Sequence, residues 1–218
     1  MTYESIRNHP EVLALLARGD YNVGVLGFTA HSTAHTALVA ARAAYILRKL
    51  GYSEHLQELA KIAGFMHDIG NAINRKNHAE YGALLANDIL KSMGMDMDDR
   101  IMVVAAIGNH DESTGGAKDP LSAALILADK TDVRRNRVRT QQPEKFDIHD
   151  RVNYAVTRSL TSYKPEKSSI VLTLEIDEEI CTMYDYFEIF LERMMMCRRA
   201  AELLGVRFRL TANGQKVL

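Results

Sequence analysis

Ala63-Gly64-Phe65-Met66-His67-Asp68-Ile69-Gly70-Asn71 closes an apolar helical run with two adjacent residues able to ligate a metal, and Gly70 stops it. Adjacent residues on a helix point about 100° apart, so a His-Asp neighbour pair is poorly suited to building one surface. It is well suited to holding an ion from the end of a buried helix, where backbone geometry is loosening. A satisfied polar pair at a helix end is the plain alternative. Against it, His35, His78, His110 and Asp129 each lie on or beside another apolar helical segment.

Working outward, Leu38, Val39, Ala43, Ile46, Leu47 and Leu50 recur at helical spacing over residues 32–50. Gly51 then ends the helix by the usual C-terminal glycine logic. Ser53-Glu54 starts the helix that runs into His67-Asp68. Further upstream, residues 3–18 read as a short amphipathic helix that Pro10 can split, and residues 20–27 as a glycine-containing loop. Downstream, residues 71–77 form a polar connection, His78 opens another helix, and residues 98–107 form the next, with His110 at its C-terminal end. Pro120 suits a helix first turn. The run from Leu121 predicts one helix carrying Asp129 into a basic tail of Lys130, Arg134, Arg135, Arg137 and Arg139.

The character changes after Gln141-Gln142-Pro143. Tyr154, Val156 and Leu160 alternate with polar residues, residues 163–167 look like a turn, and residues 169–176 are β-branched and strand-like. Residues 179–204 predict a long amphipathic helix closed by Gly205, and residues 206–210 a third strand. Met194, Met195 and Met196 read as core packing rather than soft ligands. The expectation is a mainly α protein: a helical domain over 1–142 holding the site, and a small α+β region of ββαβ order over 143–218. That region shapes the substrate entrance or dimerises.

The chain has 218 residues, 47% hydrophobic and 25% charged, which suits one globular domain with a small appendage. A net charge of −1 excludes a global field drawing the chain to nucleic acid or an anionic membrane. Cys181 and Cys197, without CxxC spacing, exclude a thiolate zinc finger within one chain and fit a reduced cytosolic protein. Charges interrupt the first 16 residues where a signal peptide needs an apolar core. No apolar stretch reaches about 18 residues, so a cytoplasmic location is expected.

The candidate ligands are His35, His67, Asp68, His78, His110 and Asp129, with His31 in reserve. Imidazole and carboxylate without thiolate suit Mn²⁺, Fe²⁺, Ni²⁺ or Zn²⁺, and the affinity order does not choose among them. Six ligands exceed the needs of one ion open to substrate, and two ions sharing Asp68 is the economical arrangement. In such sites a hydroxide between metals roughly 3.5–4 Å apart attacks phosphorus in line. There is no nucleophile elbow, Walker loop or GxGxxG.

The order H…HD…H…H…D, with HDIGN at the pair, resembles the HD-domain superfamily of metal-dependent phosphohydrolases over roughly residues 28–139. The resemblance implies a helical bundle with the metal site inside it. It implies that His35 (in HTALV), His67-Asp68 and Asp129 (in LILADKTD) hold a first metal. His78 (in KNHAEYGA) and His110 (in GNHDE) match the additional histidines of the binuclear branch, with Asp68 bridging. The GYP motif of the cyclic di-GMP-cleaving branch is absent, so that substrate is not expected.

His31 lies one helical turn before His35, and its role stays open between ligand, substrate hydrogen bond, proton donor and a supporting place behind the ligands. Asp68, His31 and Lys130 are the catalytic candidates. Arg75, Lys76, Lys130 and Arg134 are the candidates for gripping a substrate phosphate, against the plain reading of a solvated basic face. His78 as a helix cap and His110 as a histidine on a helix dipole are the bland alternatives. His9, His55 and His149 are assigned nothing. The expected activity is hydrolysis of a phosphoester of a nucleotide or small phosphorylated metabolite, with a homodimer plausible and nucleic acid disfavoured. The rivals are a di-iron oxygenase on the same scaffold and a non-enzymatic regulatory module with a residual metal site.

Overall fold

A computed structural model describes residues 1–140, 142, 144 and 146–217. The chain begins with α1 (Tyr3–Arg7), capped by the Thr2 hydroxyl, and α2 (Pro10–Val25), with Pro10 in its first turn. Pro10 thus separates two helices. α2 continues through residues 20–25, which corrects the loop expected there. Its glycines serve packing rather than turning: a Cβ at Gly19 would meet Asn71 Cβ at 3.1 Å. One turn further on, the Asn22 side chain donates to the carbonyls of Asn71 and Ala72, 3.0 Å from each. α2 is therefore a brace against the turn that follows the His-Asp pair.

α3 (Thr33–Lys49) and α4 (Glu54–Met66) pack as an antiparallel pair, with the Ser53 hydroxyl capping α4. They touch at backbone distance, since a Cβ on Gly64 would lie 2.7 Å from Ala40 Cα. After a 3-10 turn over Ile69–Ala72 come α5 (His78–Ser92) and α6 (Met97–Gly108), the latter capped by Asp96. α7 (Pro120–Lys130) opens with a reciprocal Asp119–Ser122 capping box and is buried at every residue from Leu121 to Lys130. It is the central rod of the bundle.

α7 stops at Lys130, which corrects the continuous helix predicted to Arg139. The Thr131 hydroxyl donates to Leu127 O, Asp132 turns inward, and Arg134 is extended (φ −152°, ψ 142°) before a 3-10 turn over Arg135–Arg137. Side chains that satisfy themselves locally compete with the helix here. Gln141 and Pro143, which mark the expected domain boundary, lie outside the described residues.

α8 (Ile148–Ala155), capped by Asp147, holds Tyr154, which the alternation had suggested for a strand. The strand itself, β1 (Val156–Lys164), starts at Val156 and pairs antiparallel with β2 (Ser169–Ile176) across a short turn. α9 (Met183–Leu203) then crosses over, so that β3 (Arg207–Ala212) lies parallel to β2, and β4 (Gln215–Lys216) hairpins back on β3. The sheet order is β1-β2-β3-β4. The ββαβ unit is present, with one short extra strand. α9 packs on α7, burying Met194 and Met196, while Met195 faces out. Among the described residues no helix is long and apolar enough to cross a membrane, and both cysteines are buried and free.

Gly64→Ala is expected to destabilise the fold by about 1–3 kcal/mol through backbone-level overpacking. Gly116→Ala, where a Cβ meets nothing within 4 Å, should change stability by less than about 0.5 kcal/mol. Urea denaturation of the two variants checks this.

Candidate metal centre

Five helix ends deliver the six candidate ligands to one place. His35 sits in the first turn of α3, His67 caps α4 with Asp68 beside it, and His78 is the first residue of α5. His110 follows the end of α6, and Asp129 is next to last in α7. Their relative exposures run from 1% to 9%, so the cluster is interior. The approach of α5 to the His-Asp turn requires glycine, because a Cβ at Gly70 would collide with the His78 carbonyl. Asn71 steadies the turn by donating to Asp68 Oδ1 at 2.8 Å.

The histidines share one orientation. Nδ1 of His67 lies 2.8 Å from Gly64 O, that of His110 2.6 Å from Ile107 O, and that of His78 3.2 Å from Arg75 O. Nδ1 of His35 lies 2.7 Å from Asp132 Oδ2. Carbonyl and carboxylate oxygens only accept, so each Nδ1 carries a proton and donates, and each ring turns its Nε2 inward. Second partners of this kind are what fix imidazole ligands on metals.

What those nitrogens meet is the test of fit. His35 Nε2, His67 Nε2 and Asp68 Oδ2 are buried with no hydrogen-bond partner. His35 Nε2 lies 3.3 Å from Asp129 Oδ1, and His67 Nε2 lies 3.2 Å from Asp68 Oδ2. On the other side of Asp68, Oδ1 lies 3.8 Å from His78 Nε2, which is 3.2 Å from His110 Nε2. Two unprotonated imidazole nitrogens facing each other repel unless a cation joins them. Ligand atoms of His35, His67 and Asp129 lie within 4.8 Å of one another, as do those of His67, Asp68 and His110. The residues fit a transition-metal centre, with Asp68 Oδ2 toward His67 and Oδ1 toward His78.

The electrostatics agree. Burial would raise the Asp68 carboxyl, but His67, His31 and His35 hold it well below the usual carboxylate range. Burial would also raise Asp129, and Lys130, with its Nζ 2.8 Å away, leads the groups that hold it down. Burial lowers His110 well below the ordinary imidazole value and lowers His78 too. His67 goes the other way: burial opposes its charging, yet Asp68 and Asp129 raise it. The carboxylates attract positive charge at that point.

A cavity of about 320 Å³ opens above the cluster, walled by Asp68, His78, His110 and Asp129, with His31, Arg75 and Lys130 also on it. Lys76 and Arg134, both expected at a substrate phosphate, are off its wall. Lys76 is exposed, and Arg134 pairs with Asp132 beside a separate cleft that it lines with Tyr154.

Several contributors escaped the sequence reading. Asp132, fully buried, orients His35, and burial's upward push on its carboxyl is outweighed by His35 and Arg137. The buried Arg137 donates to Asp132 O and Ala30 O. Glu112 accepts from Arg193 at 2.7 Å and lies 3.7 Å from Lys130. His149 reaches the cavity from α8. Asp132, between Lys130-Thr131 and Val133-Arg134-Arg135, sits in a polar stretch that gave no sign of its burial. Glu112 and Arg193, 81 positions apart, gave none either.

Mn²⁺, Fe²⁺ or Zn²⁺ is expected to raise the Tm of the metal-free protein, reversibly with chelator, by about 2.7 kcal/mol of stability at a hundredfold excess over Kd. Ca²⁺, which wants oxygen ligands, should do far less. In His35→Ala the transition-metal response should shrink, as differential scanning calorimetry would record.

Residues 33–136 match the family model described as HD domain. The chain is 27% identical over 175 residues to an uncharacterised protein of Methanocaldococcus jannaschii, covering 68% of this chain and 66% of that one. It is 29% identical over 124 residues to ribonuclease Y of Oleidesulfovibrio alaskensis, covering 57% of this chain and 21% of that one. It therefore spans less than two thirds of either relative. A crystal structure of a predicted HD superfamily hydrolase from an uncultured Thermotogales bacterium is 26% identical, covers 58% of this chain and 68% of that one, and aligns with a TM-score of 0.45. The matched segment runs from the start of α3 past the end of α7 and holds all six clustered histidines and aspartates, so residues 33–136 of the chain are an HD domain.

Proposed function

We propose that the protein is a metal-dependent phosphohydrolase with a binuclear centre, acting on a phosphoester of a nucleotide or related small phosphorylated metabolite. The carrying observation is the convergence of buried, unpartnered His35 Nε2, His67 Nε2 and Asp68 Oδ2 beneath an open cavity. His35, His67, Asp68 and Asp129 would hold one ion, and His78 and His110 the second, with Asp68 spanning both. When bound, the metal pair supplies Lewis acidity, activating water and neutralising charge on the non-bridging phosphoryl oxygens.

The chain's own residues then have separable tasks. Asp132 holds His35 in its tautomer, and Lys130, already committed to Asp129, is a positioning residue. Arg75, whose guanidinium lies 5.5 Å from the Phe28 ring centre, is free to meet a substrate phosphate on the cavity wall. With its Nδ1 2.7 Å from Thr29 O, His31 has Nε2 left for the cavity, where it orients water or the leaving oxygen. Residues 1–142 form the hydrolytic unit in this reading, and 143–218 the wall that shapes its entrance. Similarity to a protein named ribonuclease Y favours an RNA phosphodiester as the second reading.

Elemental analysis of the protein as isolated should find about two transition-metal ions per chain. A panel of phosphorylated metabolites and one oligoribonucleotide, assayed with that metal, then names the substrate. His67→Ala and Asp68→Asn should abolish turnover with the helical circular dichroism retained. His31→Ala should lower kcat by about 10²–10⁴ with metal content unchanged. Metal-free protein inert with added Mn²⁺ and Fe²⁺ on every substrate would overturn the proposal.

A further inference from the structure

A smaller cavity of about 100 Å³ adjoins the metal pocket and shares His31, Arg75, Arg137, His149 and Arg193 with it. Its other walls are Phe28, Thr29, Asn153 and Phe190. The two cavities differ in charge. The larger carries Asp68, Asp111, Glu112, Asp129 and Glu192, whereas the annex has three arginines and, among the described residues, no carboxylate. Arg193 and Arg137 keep acidic partners outside the annex, Glu112 at 2.7 Å and Asp132 at 3.8 Å, so their remaining donors face a space without a carboxylate of its own among the described residues.

We propose that this annex is a subsite for a second phosphoryl group of the substrate, gripped by Arg75, Arg137 and Arg193 while the first phosphoryl group lies at the metals. It rests on the phosphohydrolase reading and narrows the substrate to small molecules bearing two phosphoryl groups.

Each guanidinium has five N–H donors, and few are spent within the protein. Arg193 gives Nε to Glu112, Arg75 gives Nη1 to Asn71, and Arg137 gives Nε and Nη1 to backbone carbonyls. Two of the three are held by aromatic rings: Arg193 lies 4.3 Å from the Phe190 centroid and Arg75 5.5 Å from that of Phe28. Such stacking fixes the planar fork, so less freedom is lost when an anion is clamped in bidentate fashion. Burial, and then the neighbouring charge of Arg193, push the Arg137 guanidinium below its ordinary value despite Asp132 and Asp129. An anion between the two would relieve that repulsion. A dianion offsets three cations better than a single carboxylate does, and the volume suits a phosphoryl group but not a whole nucleoside.

The test compares matched pairs on the full-length, Mn²⁺-loaded protein: adenosine 5′-monophosphate with adenosine 3′,5′-bisphosphate, and fructose 6-phosphate with fructose 1,6-bisphosphate. At least one bisphosphate should be preferred by about 10- to 100-fold in kcat/KM, the worth of one or two charge-assisted hydrogen bonds. Arg193→Gln should collapse that ratio toward one, mainly through KM. His149→Glu, which sets a carboxylate at the annex rim from an exposed position on α8 and leaves the core alone, should do the same. Calorimetric binding of the same four compounds provides a readout independent of turnover. A bisphosphate preference in binding, lost in both variants but without hydrolysis, would uphold the subsite and sink the phosphohydrolase reading. Hydrolysis without any bisphosphate preference, or a preference that survives both variants, would overturn the subsite.

Discussion

Buried lone pairs without partners are the constraint from which the architecture follows. A buried acceptor left unmade costs about 1–3 kcal/mol, and more when it is charged. Here three such atoms, on His35, His67 and Asp68, occupy one small volume, with further imidazole nitrogens turned toward it. They stay because everything behind them is fixed: Nδ1 protons tied to carbonyls and to Asp132, Asp129 tied to Lys130, and α5 seated on a glycine beneath the His-Asp turn. A fold that holds such a cluster open is preorganised for cations.

The preorganisation reaches further than the ligands. Asp129 Oδ2 meets Lys130 Nζ at 2.8 Å, Lys130 meets Glu112 Oε1 at 3.7 Å, and Glu112 takes Arg193 Nε at 2.7 Å. Charges of alternating sign thus run from α7 through the loop after α6 to the middle of α9. The pairs are half-buried or deeper, so solvent screens them weakly. The C-terminal region is consequently wired to the metal centre, and its helix supplies part of the cavity wall.

The sequence disclosed the ligand pattern because those residues interrupt apolar helical runs, and a buried His or Asp in such a run has few innocent explanations. It disclosed most helix starts and stops because Ser53 and Pro120, and the glycines after α3 and α5, act locally. Gly24 misled, since its role is to let α2 approach Arg139, and a packing glycine looks like a turn glycine until the neighbour is known. Within the basic run the sequence favoured Arg134 over Arg137, yet Arg134 pairs away from the cavity and Arg137 is buried on it. The break in the helix at Thr131 separates their fates. Arg193 was invisible because nothing in a long amphipathic helix distinguishes the one arginine that meets Glu112 across the fold.

α9 joins two parallel strands, so both its ends are pinned by the sheet. Arg193 lies ten residues into it, and each residue adds about 100° of rotation. A one-residue indel between Met183 and Arg193 would swing that guanidinium off the cavity wall while the strands kept their pairing. The same indel after Arg193 would spare it. Relatives that vary in the length of this half-helix should therefore keep the hydrolytic machinery and diverge in what they admit to it.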